Sequence, residues 1–395
     1  MKSPNIKYMW ADLIIEELTR CGVSKFCISS GSRNSPLVLA AAENSKAETV
    51  VHLDERGAAF YALGCAKANG QPTALICTSG TAVANYLPAV IEASTSSVPL
   101  IILSADRPVE LRDTGANQTI DQVGIYGKYT RWSFDLPSPS CEVPAEFVLT
   151  TVDQMVYRAK RAPAGPVQLN CMFAEPLTPE ADDSIPPGYP ERIAGWNEAD
   201  TPYTDYVPSR STPVDSSLNA VRAALMRSRR GVIVCGRLDC FSDKSAILNL
   251  AKNLRMPLLA DISSGLRFGN PSSDNLVTHY DLFLREALFT KTHRPDLILH
   301  FGGPVVSKVL NSYIDNSHSE HIVINRTPFR QDPGHSVKLR VEMDPGQFCE
   351  TIADFEMSND SDLLAVLGRA DAICSDYLSK LESVSNLTNE FAAAY

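Results

Sequence analysis

The chain has 395 residues, 44% of them hydrophobic and 21% charged, an ordinary globular composition long enough for two or three separate cores. Its formal net charge of −10 argues against a nucleic-acid partner, which would want a basic face, but leaves small anions open because a few local arginines can overrule a global charge. No apolar run is long enough for a membrane span, Met1-Lys2-Ser3-Pro4 leads into an amphipathic helix and not a signal peptide, and the ten cysteines contain no CxxC, so a cytoplasmic protein with reduced thiols is expected.

Trp10, Leu13, Ile14, Leu18 and Cys21 recur at helical spacing, with Gly22 as a stop, and predict a first helix. A strand over 25–29, a Gly/Ser/Asn loop and a helix through Leu37 to Ala42 follow. The next predicted elements are a strand at 49–53, a helix at 54–67, a strand at 73–77, a helix at 81–93 and a strand at 99–104. A helix at 144–161 and a strand at 166–170 complete the first block. Strand and helix alternate, which predicts an α/β fold: a parallel sheet flanked by helices on both faces. Residues 181–215, rich in Pro, Asp, Gly, Tyr and Ser, read as a linker between a first domain at 1–180 and a central one at 216–350. The central block alternates again, with strands at 231–235, 257–260, 296–301, 321–324 and 338–341. From 351 to 395 the chain reads as a helical segment.

In open α/β sheets ligands sit beyond the carboxyl ends of the strands, and the loops expected there in the first block are loaded with polar residues. They are Ser29-Ser30-Gly31-Ser32-Arg33-Asn34, Asp54-Glu55-Arg56-Gly57, Thr78-Ser79-Gly80-Thr81 and Ala105-Asp106-Arg107-Pro108. Small residues let backbone N–H groups approach a ligand, and Arg33 and Arg107 offer planar forks for carboxylates. One such loop is a solvated edge; four on one edge predict a ligand site. Glu55 by spacing alone has only the role of a carboxylate in a helix's first turn.

The run from Leu103-Ser104-Ala105-Asp106-Arg107-Pro108 to Asp121-Gln122, with Gly31-Ser32-Arg33, Asp54-Glu55-Arg56-Gly57, Thr78-Ser79-Gly80-Thr81 and Phe173-Ala174-Glu175-Pro176-Leu177, resembles the 2-succinyl-5-enolpyruvyl-6-hydroxy-3-cyclohexene-1-carboxylate synthases. These are thiamine-diphosphate transferases of menaquinone biosynthesis. The resemblance is looser in the central block, through Gly236-Arg237, Gly302-Gly303-Pro304 and Ser307-Lys308. It implies a pyrimidine-binding domain followed by a Rossmann-like central domain, with thiamine diphosphate and Mg²⁺ as cofactors and 2-oxoglutarate and isochorismate as substrates. It implies that Glu55 is catalytic, hydrogen-bonding N1′ of the aminopyrimidine, and that Thr78, Ser79 and Gly80 lie against the cofactor. Ser32, Arg33, Arg107, Asn117 and Gln118 are implied on the isochorismate side, with Lys308 reaching in from the central domain. Gln168 and Met172 depart from a His and a Pro common in the family, and are read as a packing difference.

The sequence contains no Gly-Asp pair, whereas the family holds Mg²⁺ and the diphosphate through Gly-Asp-Gly and a later Asn. A third, diphosphate-binding domain is therefore expected to be absent from these residues, and the metal to have no ligands here. A homo-oligomer or a separate diphosphate-domain chain is the expected partner. A fragment or split-gene product and a non-catalytic relic that binds anions both remain open on sequence alone. A dinucleotide-binding oxidoreductase does not, because no GxGxxG follows a strand.

Overall fold

The computed structural model describes residues 3–183, 185–207, 218–238, 243–268, 273–355 and 362–384. The chain divides into two compact units, 1–208 and 209–395.

The first unit runs α1 (Ile6–Arg20), β1 (Lys25–Ile28), α2 (Ser35–Glu43), β2 (Glu48–Val51), α3 (Glu55–Asn69), β3 (Thr73–Cys77), α4 (Thr81–Ala84), α5 (Leu87–Thr95), β4 (Leu100–Asp106), β5 (Trp132–Leu136), α6 (Ala145–Lys160) and β6 (Pro166–Met172). Its six strands pair in parallel in the order β2-β1-β3-β4-β6-β5. β4 and β6 are buried at every position, as expected of strands covered on both faces, while β2 at the edge is mostly exposed. Alternation sorts the side chains: Phe26 and Ile28 pack with Trp10, Leu37 and Leu149 of α1, α2 and α6, whereas Cys27 faces Ala59, Leu63 and Val90 of α3 and α5. The winding reverses between β1 and β3, which places a crevice beyond the carboxyl ends of these two strands.

Three sequence expectations change. The helix expected at 81–93 is two helices, because Pro88 has no N–H with which to continue the ladder and starts a new helix instead. The alternating Trp132-Ser133-Phe134-Asp135-Leu136 forms an edge strand, β5, that the sequence reading did not predict, so β6, the last strand of the unit in chain order, lies inside the sheet. Much of the expected linker is packed. Short helices α7 (Gly188–Glu191) and α8 (Ala194–Glu198) bury Tyr189, Ile193 and Trp196 in the first unit's core. The Trp196 indole donates to Glu17 Oε2 at 2.6 Å, the Tyr203 N–H donates to Glu17 Oε1 at 2.5 Å, and the Arg20 guanidinium lies 3.9 Å from the Trp196 ring centroid. Residue 184 and residues 208–215 of that linker lie outside the described residues.

The second unit contains α9 (Asn219–Arg227), β7 (Gly231–Cys235), α10 (Asp243–Asn253), β8 (Leu258–Ala260), β9 (Leu276–Val277), α11 (Tyr280–Phe283), α12 (Ala287–Thr292), β10 (Leu297–Phe301), α13 (Lys308–Ser317), β11 (Glu320–Asn325), β12 (Val337–Glu342), α14 (Pro345–Thr351) and α15 (Leu363–Val384). All strands are parallel, in the order β12-β11-β10-β7-β8-β9, the doubly-wound order with its switch point between β7 and β10. Among the described strands of this unit, the two-residue β9 is the one that the sequence reading did not predict. The helical segment after 351 begins as part of this unit, since Leu363 and Leu367 of α15 are buried with Tyr280 and Tyr313. The end of that segment, 385–395, lies outside the described residues. Among the described residues no helix is long and apolar enough to cross a membrane.

Candidate active site

Glycines bring the first unit's crevice loops together. A Cβ on Gly31 would lie 2.6 Å from Thr78 Cβ, so only glycine lets the loop after β1 rest on the loop after β3. Asn34 fixes that loop, accepting from the Gly31 N–H at 2.9 Å and donating to the Ser29 carbonyl at 2.9 Å. Gly80, at φ +82°, meets Gln118, whose Cγ would be 3.0 Å from an added Cβ. Ser79 Oγ donates to the Gln118 carbonyl at 3.2 Å, and Gln118 Nε2 returns a bond to the Ser79 carbonyl at 3.1 Å.

The two arginines converge on this crevice. Arg33 is 4% exposed; one of its terminal nitrogens donates to the Phe173 carbonyl at 2.8 Å and the other to Glu175 Oε1 at 2.9 Å. Its Nε is buried without a partner. Part of the fork expected to be free for a ligand is thus already engaged by the chain. Arg107 is half-buried and donates to Ser79 Oγ, and its own N–H donates to Asp106 Oδ1 at 2.8 Å. Burial, and then the positive charge of Arg33, pull the Arg107 pKa below its ordinary value. Two desolvated guanidiniums within electrostatic reach of one another favour an anion between them.

Glu55 opens α3 directly after Asp54, whose side chain caps the helix by accepting from the Arg56 N–H at 2.8 Å. Asn85, the residue that ends α4, donates to Glu55 Oε2 at 3.1 Å, which leaves acceptor capacity on both carboxylate oxygens. The contacts therefore join Arg33, Arg107, Thr78, Ser79, Gly80 and Gln118 in one crevice, and tie Glu55 to the helix that follows Gly80. Ser32 and Asn117 are exposed. Lys308 is the exposed first residue of α13 in the second unit, behind the N-cap Ser307.

Sequence reasoning missed the buried network underneath. Gln122 Oε1 accepts from the Gly80 N–H at 3.1 Å, and its Nε2 donates to the Ala105 carbonyl at 3.0 Å and to Asn170 Oδ1 at 2.7 Å. Asn170 Nδ2 donates to Asp106 Oδ2 and Asp135 Oδ1, both at 2.8 Å, and Arg112 pairs with the same two carboxylates at 2.8 Å. Burial would raise Asp135, but the bonds from Arg112 and Asn170 outweigh it and hold this carboxyl below its usual range. Gln168, read as a packing difference, donates to Ser104 Oγ at 3.0 Å inside this network. The available signal was the run of polar residues at 168, 170, 104 and 106 within two otherwise apolar strands.

The pyrimidine half of thiamine diphosphate fits this geometry: Glu55 offers an acceptor at a helix start, and the Gly80 turn permits close backbone approach. Mg²⁺ does not fit. The cluster of potential metal ligands among the described residues, Glu17, Cys21 and Asp153, lies on α1 and α6. Its acceptors are taken by Trp196, Tyr203 and the Thr204 N–H, and burial with the adjacent Asp153 carboxyl pushes Glu17 up to about 8. Two buried, hydrogen-bonded carboxyl groups beside a thiol are not an octahedral oxygen cage.

Residues 9–125 match the family model of the thiamine pyrophosphate enzyme N-terminal TPP binding domain, and 188–372 match the middle domain of thiamine pyrophosphate enzymes. The chain is 46% identical over 355 residues to the 2-succinyl-5-enolpyruvyl-6-hydroxy-3-cyclohexene-1-carboxylate synthase of Chlorobium phaeobacteroides, covering 89% of this chain and 60% of that protein. It is 46% identical over 352 residues to the enzyme of the same name from Rubrobacter xylanophilus, again 89% and 60%. With that from Salinibacter ruber it shares 45% over 344 residues, 87% of this chain and 58% of the relative. The chain thus spans about 60% of the length of the curated relatives it matches. The chain belongs to the thiamine pyrophosphate enzymes, and it carries their N-terminal and middle domains in a form similar to 2-succinyl-5-enolpyruvyl-6-hydroxy-3-cyclohexene-1-carboxylate synthase.

Proposed function

We propose that residues 1–395 supply the aminopyrimidine and isochorismate sides of a synthase site. In the full reaction 2-oxoglutarate loses CO₂ and its four-carbon remainder adds to isochorismate, giving 2-succinyl-5-enolpyruvyl-6-hydroxy-3-cyclohexene-1-carboxylate. The observation that carries this reading is the joining of the two arginine loops: Arg33 donates to the Phe173 carbonyl, the Phe173 N–H donates to the carbonyl of Asp106 next to Arg107, and a buried Arg33 Nε still lacks an acceptor. Each guanidinium would pair with a carboxylate of isochorismate, a dianion, and Ser32, Asn117 and Gln118 would bind its hydroxyl and ether oxygens. Glu55 would hold a proton between its carboxylate and the ring N1′. When bound, thiamine diphosphate supplies the nucleophilic carbon and the electron sink for decarboxylation. Ser79 and Gly80 would lie against the ring. The Mg²⁺ and diphosphate ligands would come from a domain outside these residues, in a longer polypeptide or in a separate chain. The reaction belongs to menaquinone biosynthesis in the cytoplasm.

Assembly into a homo-oligomer, or with such a chain, is part of the proposal. Val51 is 64% and Leu53 103% exposed beside the edge strand β2, and Phe60 and Tyr61 on α3 are 49% and 43% exposed, which supports a covered surface there.

The test of the site is calorimetric titration of isochorismate into residues 1–395. Wild type should bind, and Arg33→Gln and Arg107→Gln should each weaken binding by roughly tenfold or more, the loss of a hydrogen bond to a charged group. Binding that ignores both substitutions would refute the assignment.

A further inference from the structure

The motif Phe173-Ala174-Glu175 is not used by the proposed chemistry, yet both of its end residues hold Arg33. The two partners of the ion pair differ sharply in their surroundings: the Arg33 side chain is 5% exposed and the Glu175 side chain 73%. The guanidinium is therefore fixed and desolvated, pinned by the Phe173 carbonyl. The glutamate stands in water on the segment after β6 and recovers full hydration if it swings away. We infer that Glu175 is the resident carboxylate of the arginine pair, neutralising Arg33 until a small oxyanion or carboxylate ligand takes its place. This rests on the reading of Arg33 and Arg107 as an anion site.

Three observations favour an exchangeable counter-ion over a permanent one. Glu175 uses a single oxygen on a single nitrogen, 2.9 Å apart, where a permanent Arg–carboxylate pair is usually bidentate, as Arg112 and Asp135 are here at 2.8 and 3.0 Å. The unpartnered Arg33 Nε shows that the carboxylate has not claimed the fork's other edge. The Glu175 charge also reaches Arg107, so one carboxylate offsets the mutual repulsion of both guanidiniums. Its departure would leave two unneutralised cations, which an incoming dianion would neutralise together. The exchange is carboxylate for anion with no covalent step, and it makes Glu175 a determinant of affinity: the ligand must outcompete it.

The experiment uses inorganic sulfate as the probe, at constant ionic strength, and reads the thermal midpoint of residues 1–395 as wild type, Glu175→Gln and Glu175→Gln with Arg107→Gln. Glu175→Gln should reach half its sulfate stabilisation at about two- to fivefold lower concentration than wild type, the worth of an exposed ion pair. The double variant should lose the response. An equal sulfate response in wild type and Glu175→Gln, abolished by Arg107→Gln, would keep the anion site and overturn the role of Glu175. A weaker response in Glu175→Gln would make Glu175 a fixed clamp and likewise overturn it. No response in any of these proteins would overturn the anion site and this inference with it.

Discussion

Both units are six-stranded parallel sheets with a switch point, and at both switch points glycines let two loops touch, but the loops are used differently. In the first unit Gly31 lies against the Thr78 side chain and Gly80 against Gln118, so side chains line the crevice and Arg33 Nε is left without a partner. In the second, backbone meets backbone: a Cβ on Gly236 would lie 1.9 Å from the Gly303 carbonyl oxygen, and one on Gly302 would lie 2.4 Å from that of Arg237. The peptide groups there satisfy each other. The Gly303 N–H donates to Arg237 at 2.8 Å, and its carbonyl accepts from His300 Nε2 at 3.0 Å. Because a carbonyl only accepts, His300 carries its proton on Nε2, so His321 Nε2–H donates to His300 Nδ1 at 3.3 Å and Ser336 Oγ–H donates to His321 Nδ1 at 2.9 Å. One topology thus yields an open, charged crevice and a closed, self-bonded one. Fold alone does not assign function; the residues on the loops do.

The largest effect should separate chemistry from folding at Glu55. In residues 1–395 complemented with a diphosphate-binding domain, Glu55→Gln should lower turnover by about 10²–10⁴-fold, the usual share of a positioned acid–base group. The same change should cost no more than about 1 kcal/mol of stability, the range of a carboxylate at a helix start. Rate assays and thermal melts on the same preparation check both, and near-wild-type turnover would remove Glu55 from the mechanism.

Glycine substitutions sharpen the contrast between the two crevices. Gly236→Ala drives a methyl into a backbone carbonyl, whereas Gly31→Ala meets the Thr78 side chain at 2.6 Å. Overpacking of this kind costs about 1–3 kcal/mol, and the backbone clash should lie at or beyond the upper end. Calorimetry should show Gly236→Ala lowering the second unit's transition by more than Gly31→Ala lowers the first's. The reverse ranking would break the comparison.

The units should also respond to pH with opposite sign. Burial holds His300 at about 4 and His321 at about 3, the latter also repelled by His300. Unfolded histidines titrate near 6.5, so unfolding takes up protons below that pH and the second unit weakens as pH falls from about 6.5 towards 4. Each histidine contributes up to about 1.4 kcal/mol per pH unit in that window. In the first unit Glu17 is raised, so its contribution is full below an unfolded pKa of about 4.5 and is lost as pH rises through about 8. Urea midpoints across pH 4 to 9 should diverge accordingly, and Glu17→Gln should flatten the alkaline side alone. Parallel pH profiles for the two units would contradict these assignments.

The strands and helices that carry the site were legible because β1, β3 and β4 are apolar runs bounded by Gly, Ser and Asp, a strong local signal. Glu55 could be proposed as a functional residue only through resemblance, since spacing alone gives a helix-end carboxylate. The Gln122–Asn170–Arg112 network was hidden because its members are far apart in sequence, 48 residues in the case of Gln122 and Asn170, and they meet only once β4, β6 and β5 are paired side by side under the loops that carry Arg112 and Gln122. The packed tail at 185–207 was misread because Pro and Gly mark turns in folded and free chain alike. What decides the matter is the pairing of Trp196 and Tyr203 with Glu17, which no local pattern announces.

The central claim is that these residues form one side of a synthase site whose diphosphate side lies elsewhere. The direct measurement follows CO₂ release and product formation from 2-oxoglutarate and isochorismate, with thiamine diphosphate and Mg²⁺. It compares residues 1–395 alone with the same chain supplied with the remaining C-terminal portion of one of its relatives. The account predicts no product from residues 1–395 alone and turnover on the order of 1 s⁻¹ once the second portion is present. Turnover of that size by residues 1–395 alone, or none with a partner portion that is active in its own protein, would contradict it.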